Sequence, residues 1–246
     1  MNKVAIITAR FDSSRFPGKI LETVINKKKS IDILIERARK INLPIILATS
    51  NLKSDDKLCS YVKRNHKIYI FRGSSINKIL RWHECFRRFK IKKACFIDGD
   101  DLCFDYKLYK RNIEKNEDSK IITYPKNIIT GIFTHILSKE CLEEIVSFIK
   151  KKQDTEMIEP FLNKVSFKKK KIKVQKIYLN KKIRLTLDYS EDLLLIKNVY
   201  HNFKTTIDTS VIVNYLIKNP ELSKINYFRE IYWKKNQLVK IKKIKT

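Results

Sequence analysis

Glycine is scarce in this chain, with four among 246 residues, at Gly18, Gly73, Gly99 and Gly131. Average usage would give roughly four times as many. A sequence that has shed most of its glycines keeps them where no side chain fits, so these positions mark tight turns or close approach to a ligand. No Pro/Gly/Ser-rich linker or internal repeat divides the chain, which reads as one domain over 1–246. The five cysteines, Cys59, Cys85, Cys95, Cys103 and Cys141, are scattered and form no Cys-x-x-Cys pair. That spacing argues against zinc and disulfide frameworks and for reduced core thiols. No apolar run reaches the roughly 18 residues of a membrane helix. Met1-Asn2-Lys3 leads straight into a strand with no signal-peptide layout. The expectation is a soluble, cytoplasmic protein with no membrane insertion.

Acids are the other shortage: 26 Asp and Glu stand against 54 Lys and Arg, a formal charge of +28. Such a balance suggests nucleic acid as a partner. The lysines, however, are spread along the whole chain among abundant Ile and Asn, and no aromatic–basic stacking motif of an RNA reader is present. A non-catalytic basic nucleic-acid-binding protein is therefore the remoter reading. The charge reads mainly as solvated surface that attracts polyanions such as nucleoside triphosphates.

What the chain does have is a β–α alternation over its first hundred residues. Val4–Ile7, Pro44–Ala48, Lys67–Phe71 and Lys93–Ile97 read as strands, with amphipathic helices from Ser30, Ser54 and Ser75 between them. This predicts an α/β fold, a mostly parallel sheet flanked by helices. Further on, helices are expected over 107–116, 140–150, 154–162 and 191–203, and strands over 121–124, 132–137, 172–179 and 184–188. The chain from Thr209 is expected to be mostly helical. Residues 236–246, alternating Leu, Val and Ile with Lys, read as a basic edge strand or tail.

Ligands of open parallel sheets bind beyond the C-terminal strand ends. Four polar groups fall there: the loop Thr8-Ala9-Arg10-Phe11-Asp12-Ser13-Ser14-Arg15-Phe16-Pro17-Gly18-Lys19, the tip Thr49-Ser50-Asn51, Arg72-Gly73, and Asp98-Gly99-Asp100-Asp101. Cations beside carboxylates at one sheet edge suit a nucleotide with a divalent metal. Arginine and lysine hold phosphates; carboxylates hold Mg²⁺, a hard ion. Three carboxylates within four residues repel one another, which a plain turn does not need. Asp188 is a candidate second metal ligand, or a cap for the helix after it.

Several of these segments, in order, resemble one family. They are Val4-Ala5-Ile6-Ile7-Thr8-Ala9-Arg10 with Ser13-Ser14-Arg15-Phe16-Pro17-Gly18-Lys19, then Leu47-Ala48-Thr49-Ser50, Phe71-Arg72-Gly73-Ser74 and Ile79-Leu80-Arg81-Trp82. Asp98-Gly99-Asp100, Arg184-Leu185-Thr186-Leu187-Asp188 and Glu191-Asp192-Leu193 complete the set. Along roughly 200 residues they resemble the cytidylyltransferases that make CMP-activated acidic sugars, the CMP-Kdo and CMP-sialate synthetases, and most of all the spore-coat polysaccharide branch. The resemblance implies a single-domain Rossmann-like nucleotide-diphospho-sugar transferase fold. It implies transfer of CMP from CTP to a nonulosonic or octulosonic acid, with release of pyrophosphate, for surface glycan synthesis. Ala9, Arg10, Ser14, Arg15, Gly18, Lys19, Thr49, Ser50, Arg72 and Gly99 would bind the nucleotide. Arg15, Lys19 and Asp100 would be catalytic, and Asp100 and Asp188 would hold Mg²⁺. Arg81, Glu156 and Arg184 would face the sugar. A homodimer through Gly131 to Leu137 is also implied.

Two departures bear on the acceptor. Asp101-Leu102 follows Asp100 where relatives have a small residue and Pro, and Met157 in Glu156-Met157-Ile158-Glu159-Pro160 stands where the nearest branch has His. A rival within the class is a nucleotidyltransferase using another NTP or a sugar- or polyol-phosphate acceptor. The Gly-Gly-rich first loop of sugar-1-phosphate nucleotidyltransferases is absent, which favours the CMP-sugar branch.

Overall fold

The computed structural model describes residues 1–180 and 182–245, with 240–245 described by backbone alone. The chain enters at β1 (Lys3–Thr8), where every residue from Val4 on is buried. A 3₁₀ turn (Lys19–Leu21) leads to the ribbon β2 (Thr23–Ile25) and β3 (Lys28–Lys29). Then come α1 (Ser30–Arg39), β4 (Ile45–Ser50), α2 (Asp56–Asn65), β5 (Tyr69–Gly73), α3 (Lys78–Phe89) and β6 (Lys93–Asp98). Beyond lie α4 (Tyr106–Lys115), β7 (Ile121–Thr123), β8 (His135–Ser138), α5 (Lys139–Phe148), α6 (Glu159–Leu162) and β9 (Lys169–Lys171). The chain closes with α7 (Ser190–Asn202), α8 (Thr209–Lys218), α9 (Pro220–Tyr227) and α10 (Arg229–Lys245).

One seven-stranded sheet runs β5-β4-β1-β6-β8-β7-β9. The strands β5, β4, β1 and β6 are parallel neighbours. The strand β8 is antiparallel to both β6 and β7, and β9 is parallel to β7. This is the mostly parallel α/β domain that the alternation predicts. Continuous apolar strands need cover on both faces, and successive residues divide accordingly. Val4 and Ile6 join Trp82, Phe86, Phe96, Leu142 and Ile145 on one face. Ala5 and Ile7 join Leu34, Tyr109, Ile196 and Val213 on the other. From β1 the chain builds outward through β4 to β5, then crosses back to place β6 on the other side of β1. That reversal opens a crevice beyond the C-terminal ends of β1 and β6.

Several local expectations give way, some to other local caps and some to tertiary contacts. Ser30 starts α1 rather than capping it; the cap is Lys29, whose backbone N–H donates to the Asp32 carboxylate at 2.7 Å. The helix expected from Ser75 starts at Lys78, because the Asn77 side chain accepts from Leu80 N at 2.8 Å. Helix in 154–162 is confined to α6. The strand expected over 172–179 forms instead at β9, in the lysine run before it, and Lys176–Leu179 is a 3₁₀ turn. β9 is an edge strand, where lysines discourage further pairing. Arg184–Asp188 makes a single parallel bridge to Thr130 rather than a strand, its polar side chains being drawn into a buried ion network. Residues 236–245, read as an edge strand or tail, continue α10; Leu238 and Val239 stay exposed with no strand beside them. Thr246 lies outside the described residues.

All five cysteines are buried and free. Burial pushes the Cys85 and Cys141 thiols up to about 12. Ile132 to Leu137, within the segment expected to pair two copies, are buried inside this one chain. Among the described residues no helix is long and apolar enough to cross a membrane.

Candidate active site

The crevice is a cavity of about 1090 Å³. The loop after β1 forms one wall through Ala9, Arg10, Asp12, Ser14, Arg15 and Lys19, and the turn after β6 forms the floor through Asp98, Gly99, Asp100 and Asp101. Gly99 lets these segments touch: its N–H donates to Thr8 O at 2.8 Å, and a Cβ there would lie 2.7 Å from Ala9 Cβ. Gly18 shapes a turn instead. It has φ +75°, a left-handed conformation that suits glycine, and does not line the cavity.

Charge is concentrated where wall meets floor. The Lys19 ammonium, in a residue 8 % exposed, lies 3.1 Å from Asp100 Oδ2 and 3.0 Å from Asp188 Oδ1, and donates to Leu187 O at 2.6 Å. Arg15 Nη2 donates to the same Asp188 oxygen at 2.6 Å. The other Asp188 oxygen accepts from Arg184 Nη2 at 2.9 Å. Burial opposes ionisation of Asp188, but Lys19 and Arg15 outweigh it and hold its pKa well below the usual carboxylate range. Asp100 and Asp101 are shifted the other way. Burial raises Asp100, partly offset by Lys19 and reinforced by Asp188 and Asp98; burial, then Asp100 and Asp98, raise Asp101. A carboxylate oxygen from each of Asp98, Asp100 and Asp101 lies within 4.8 Å of the others. Hard oxygen donors at that spacing, destabilised by one another, fit a divalent cation. Asp188 stands outside that trio and is joined to Asp100 through Lys19.

Arg81 is 2 % exposed and lines the cavity. Its Nη1 donates to Ser74 O at 2.6 Å, and its Nε is buried without a partner. Burial, then the nearby Arg10 charge, lowers its pKa to about 10. A buried arginine with no acid paired to it among the described residues is poised for an anion or a carbonyl.

Other expected residues are placed elsewhere. Thr49 and Ser50 are fully buried and do not line the cavity; Leu52, just beyond them, does. The Ser50 hydroxyl donates to Asp55, which also accepts from Phe11 N at 2.5 Å. Asp55 thereby ties the first loop to the β4 end, a role that its place in a helical first turn does not disclose. Arg72 donates from Nε to Ser50 O at 2.9 Å and from Nη2 to Leu52 O at 2.7 Å, clasping that turn. Arg184 is fully buried and binds Asp192, Asp188 and Glu230.

The rest of the cavity lining draws on distant segments. Glu156 and Met157 line it, as do Tyr124, His135 and Glu159. His135 Nε2 lies 3.1 Å from Glu159 Oε1, while its buried Nδ1 has no partner. Burial opposes ionisation of Glu159, but hydrogen bonding to His135 outweighs it and lowers its pKa. Trp233, Lys234 and Gln237 of α10 complete the lining. No local motif marks them, because α10 reaches the cavity only by folding back over it.

A family model described as cytidylyltransferase matches residues 4–206. A protein of Methanocaldococcus jannaschii is 26 % identical over 233 residues, 92 % of this chain and 95 % of that one. The structure of a cytidylyltransferase from Leptospira borgpetersenii superposes with a TM-score of 0.80 at 21 % identity, covering 90 % of this chain and 96 % of the other. That of CMP:2-keto-3-deoxy-manno-octonic acid synthetase, complexed with CTP, gives 0.61 at 13 % identity over 82 % and 99 %. The structural likenesses carry the fold, and the family match, spanning the cationic loop, the aspartate turn and the Asp188 network, carries the assignment: this chain belongs to the cytidylyltransferase family.

Proposed function

We propose that this protein transfers CMP from CTP to an acidic sugar of the nonulosonic or octulosonic type, releasing pyrophosphate, for surface glycan synthesis. The observation that carries the reading is the meeting of Arg15 and Lys19 with Asp98, Asp100 and Asp101 across the C-terminal ends of β1 and β6. A triphosphate needs cations along its oxygens, and a divalent cation needs a carboxylate floor beneath it. Ala9 and Arg10 of the same wall would meet the nucleotide, and Arg81, whose charge lies near Arg10, would face the sugar. Asp100 with its neighbours, and Asp188 on release from Lys19, would hold Mg²⁺. When bound, that ion would neutralise charge developing on the α-phosphate. The acceptor hydroxyl oxygen forms the new bond to the α-phosphorus and its proton is released to solvent, the bond from the α-phosphorus to the oxygen bridging to the β-phosphate breaks, and Arg15 and Lys19 stabilise the pyrophosphate that departs with that oxygen.

These distant segments would suit a polyhydroxylated ring bearing a carboxylate. Tyr124 and Trp233 offer flat faces, Lys126 a cation, and Glu159 a hydrogen-bond acceptor for hydroxyls. Pyrophosphate release measured with CTP, ATP, GTP and UTP against a panel of nonulosonic and octulosonic acids tests the reading. Turnover with CTP and one such acid is expected. Turnover only with a sugar- or polyol-phosphate moves the assignment to the rival acceptor class, and turnover only with another NTP overturns the CTP assignment.

A further inference from the structure

We propose that the Lys19 ammonium holds the place of the divalent cation until the nucleotide arrives, so that metal and triphosphate bind as a linked pair. This rests on the reading of the cavity as a CTP–metal site. An ammonium has three N–H donors, and Lys19 has three partners: Asp100, Asp188 and Leu187 O. It therefore bridges Asp100, one of the three clustered carboxylates, to Asp188, which the proposed function gives to the same metal. Arg15 is committed to the same Asp188 oxygen. Arg184, on the opposite side of Asp188, is fixed by Asp192 and Glu230 and stays behind as a permanent counter-ion.

The consequence is an exchange of partners. Against a divalent cation arriving alone, Lys19 presents a like charge and denies it Asp188. Toward a triphosphate arriving alone, Lys19 and Arg15 offer groups already spent on carboxylates, and their departure would strand buried acids. Arrival of both lets the two side chains pass to phosphate oxygens while the carboxylates pass to the metal, and no buried charge is left unpaired. Coupling of this kind is reciprocal. The factor by which CTP tightens the metal equals that by which the metal tightens CTP, on the order of 5- to 150-fold.

The test uses full-length protein and Mn²⁺ as the probe. Free Mn²⁺ is followed by its electron paramagnetic resonance signal without nucleotide, and CTP binding by calorimetry in EDTA and in saturating Mn²⁺. Wild-type protein is expected to bind Mn²⁺ weakly alone. Lys19→Met is expected to bind it at least about tenfold more tightly, with the Mn²⁺ enhancement of CTP binding lost. Lys78→Met is the electrostatic control, since Lys78 Nζ lies 2.8 Å from Asp98 Oδ1 in the same cluster. An equal gain in both variants, or none in Lys19→Met, overturns the proposal. Lys19→Gln serves if the methionine variant fails to fold. If neither folds, wild-type protein decides: equal CTP affinity with and without Mn²⁺ overturns the proposal, and a 5- to 150-fold difference supports it. Failure of wild-type protein to bind CTP even with Mn²⁺ overturns the underlying CTP reading instead.

Discussion

Arg184 lines no part of the cavity, yet three carboxylates depend on it. Its guanidinium is fully buried among Asp188, Asp192 and Glu230. The sugar-facing role suggested by its motif gives way to that of an internal counter-ion. Removing one partner of a buried ion network leaves uncompensated charge, a loss of about 3–5 kcal/mol. Arg184→Met is expected to lower unfolding stability by that order in urea titration. A change under 1 kcal/mol would mean the three acids find other partners. That Arg15, Lys19 and Asp100 line the crevice is legible from sequence because their loops leave the C-terminal ends of β1 and β6, where topology fixes position before side-chain detail matters. Thr49, Ser50 and Arg72 sit at strand ends on the same edge, but the Ser50 hydroxyl is turned to Asp55, Arg72 clasps the neighbouring turn, and the Thr49 hydroxyl is buried with no partner among the described residues.

At the scale of elements, the start of α1 is tied to α2 through Asp32. Its carboxylate accepts from Lys29 N at 2.7 Å and Tyr61 OH at 2.8 Å, and lies 2.6 Å from His66 Nε2. Burial opposes its ionisation, but the His66, Lys29 and Tyr61 hydrogen bonds outweigh it and lower its pKa. The stabilisation is therefore complete at neutral pH. It is lost as pH falls below the ordinary aspartate value of about 3.9 and through the lowered native one. Thermal melts of wild type and Asp32→Asn should differ by about 1–3 kcal/mol at pH 7 and converge toward pH 2; a constant gap across that range would exclude the linkage. The helix α10 sets a second test. If Trp233 packs on the acceptor ring, Trp233→Ala should raise acceptor KM about tenfold, the equivalent of about 1.4 kcal/mol, and leave the KM for CTP unchanged. A rise in both would place Trp233 on the nucleotide side.

For the whole molecule, the charge of +28 bears on encounter rather than on fold. A cationic surface around a cleft speeds the arrival of a polyanion, and salt removes the effect as the Debye length shrinks from about 10 Å at 0.1 M to about 3 Å at 1 M. Stopped-flow association of CTP with Mg²⁺ should slow by on the order of tenfold across that range, with dissociation changing far less. A salt-independent association rate would confine the charge to solubility.

The sequence by itself determined the α/β alternation, the strand ends and the cation and acid loops that follow them. Each of these is local: apolar runs, caps and turns are set by neighbours along the chain. Only the tertiary structure decided which polar residues face the cavity and which are buried as counter-ions, because that depends on partners up to 173 positions apart, as between Arg15 and Asp188. It likewise decided that β8, α6 and α10 contribute to the cavity lining, and that β9 forms in the lysine run. Edge pairing and helix docking follow the surface left uncovered once the central strands have met. No residue pattern within those segments carries that information.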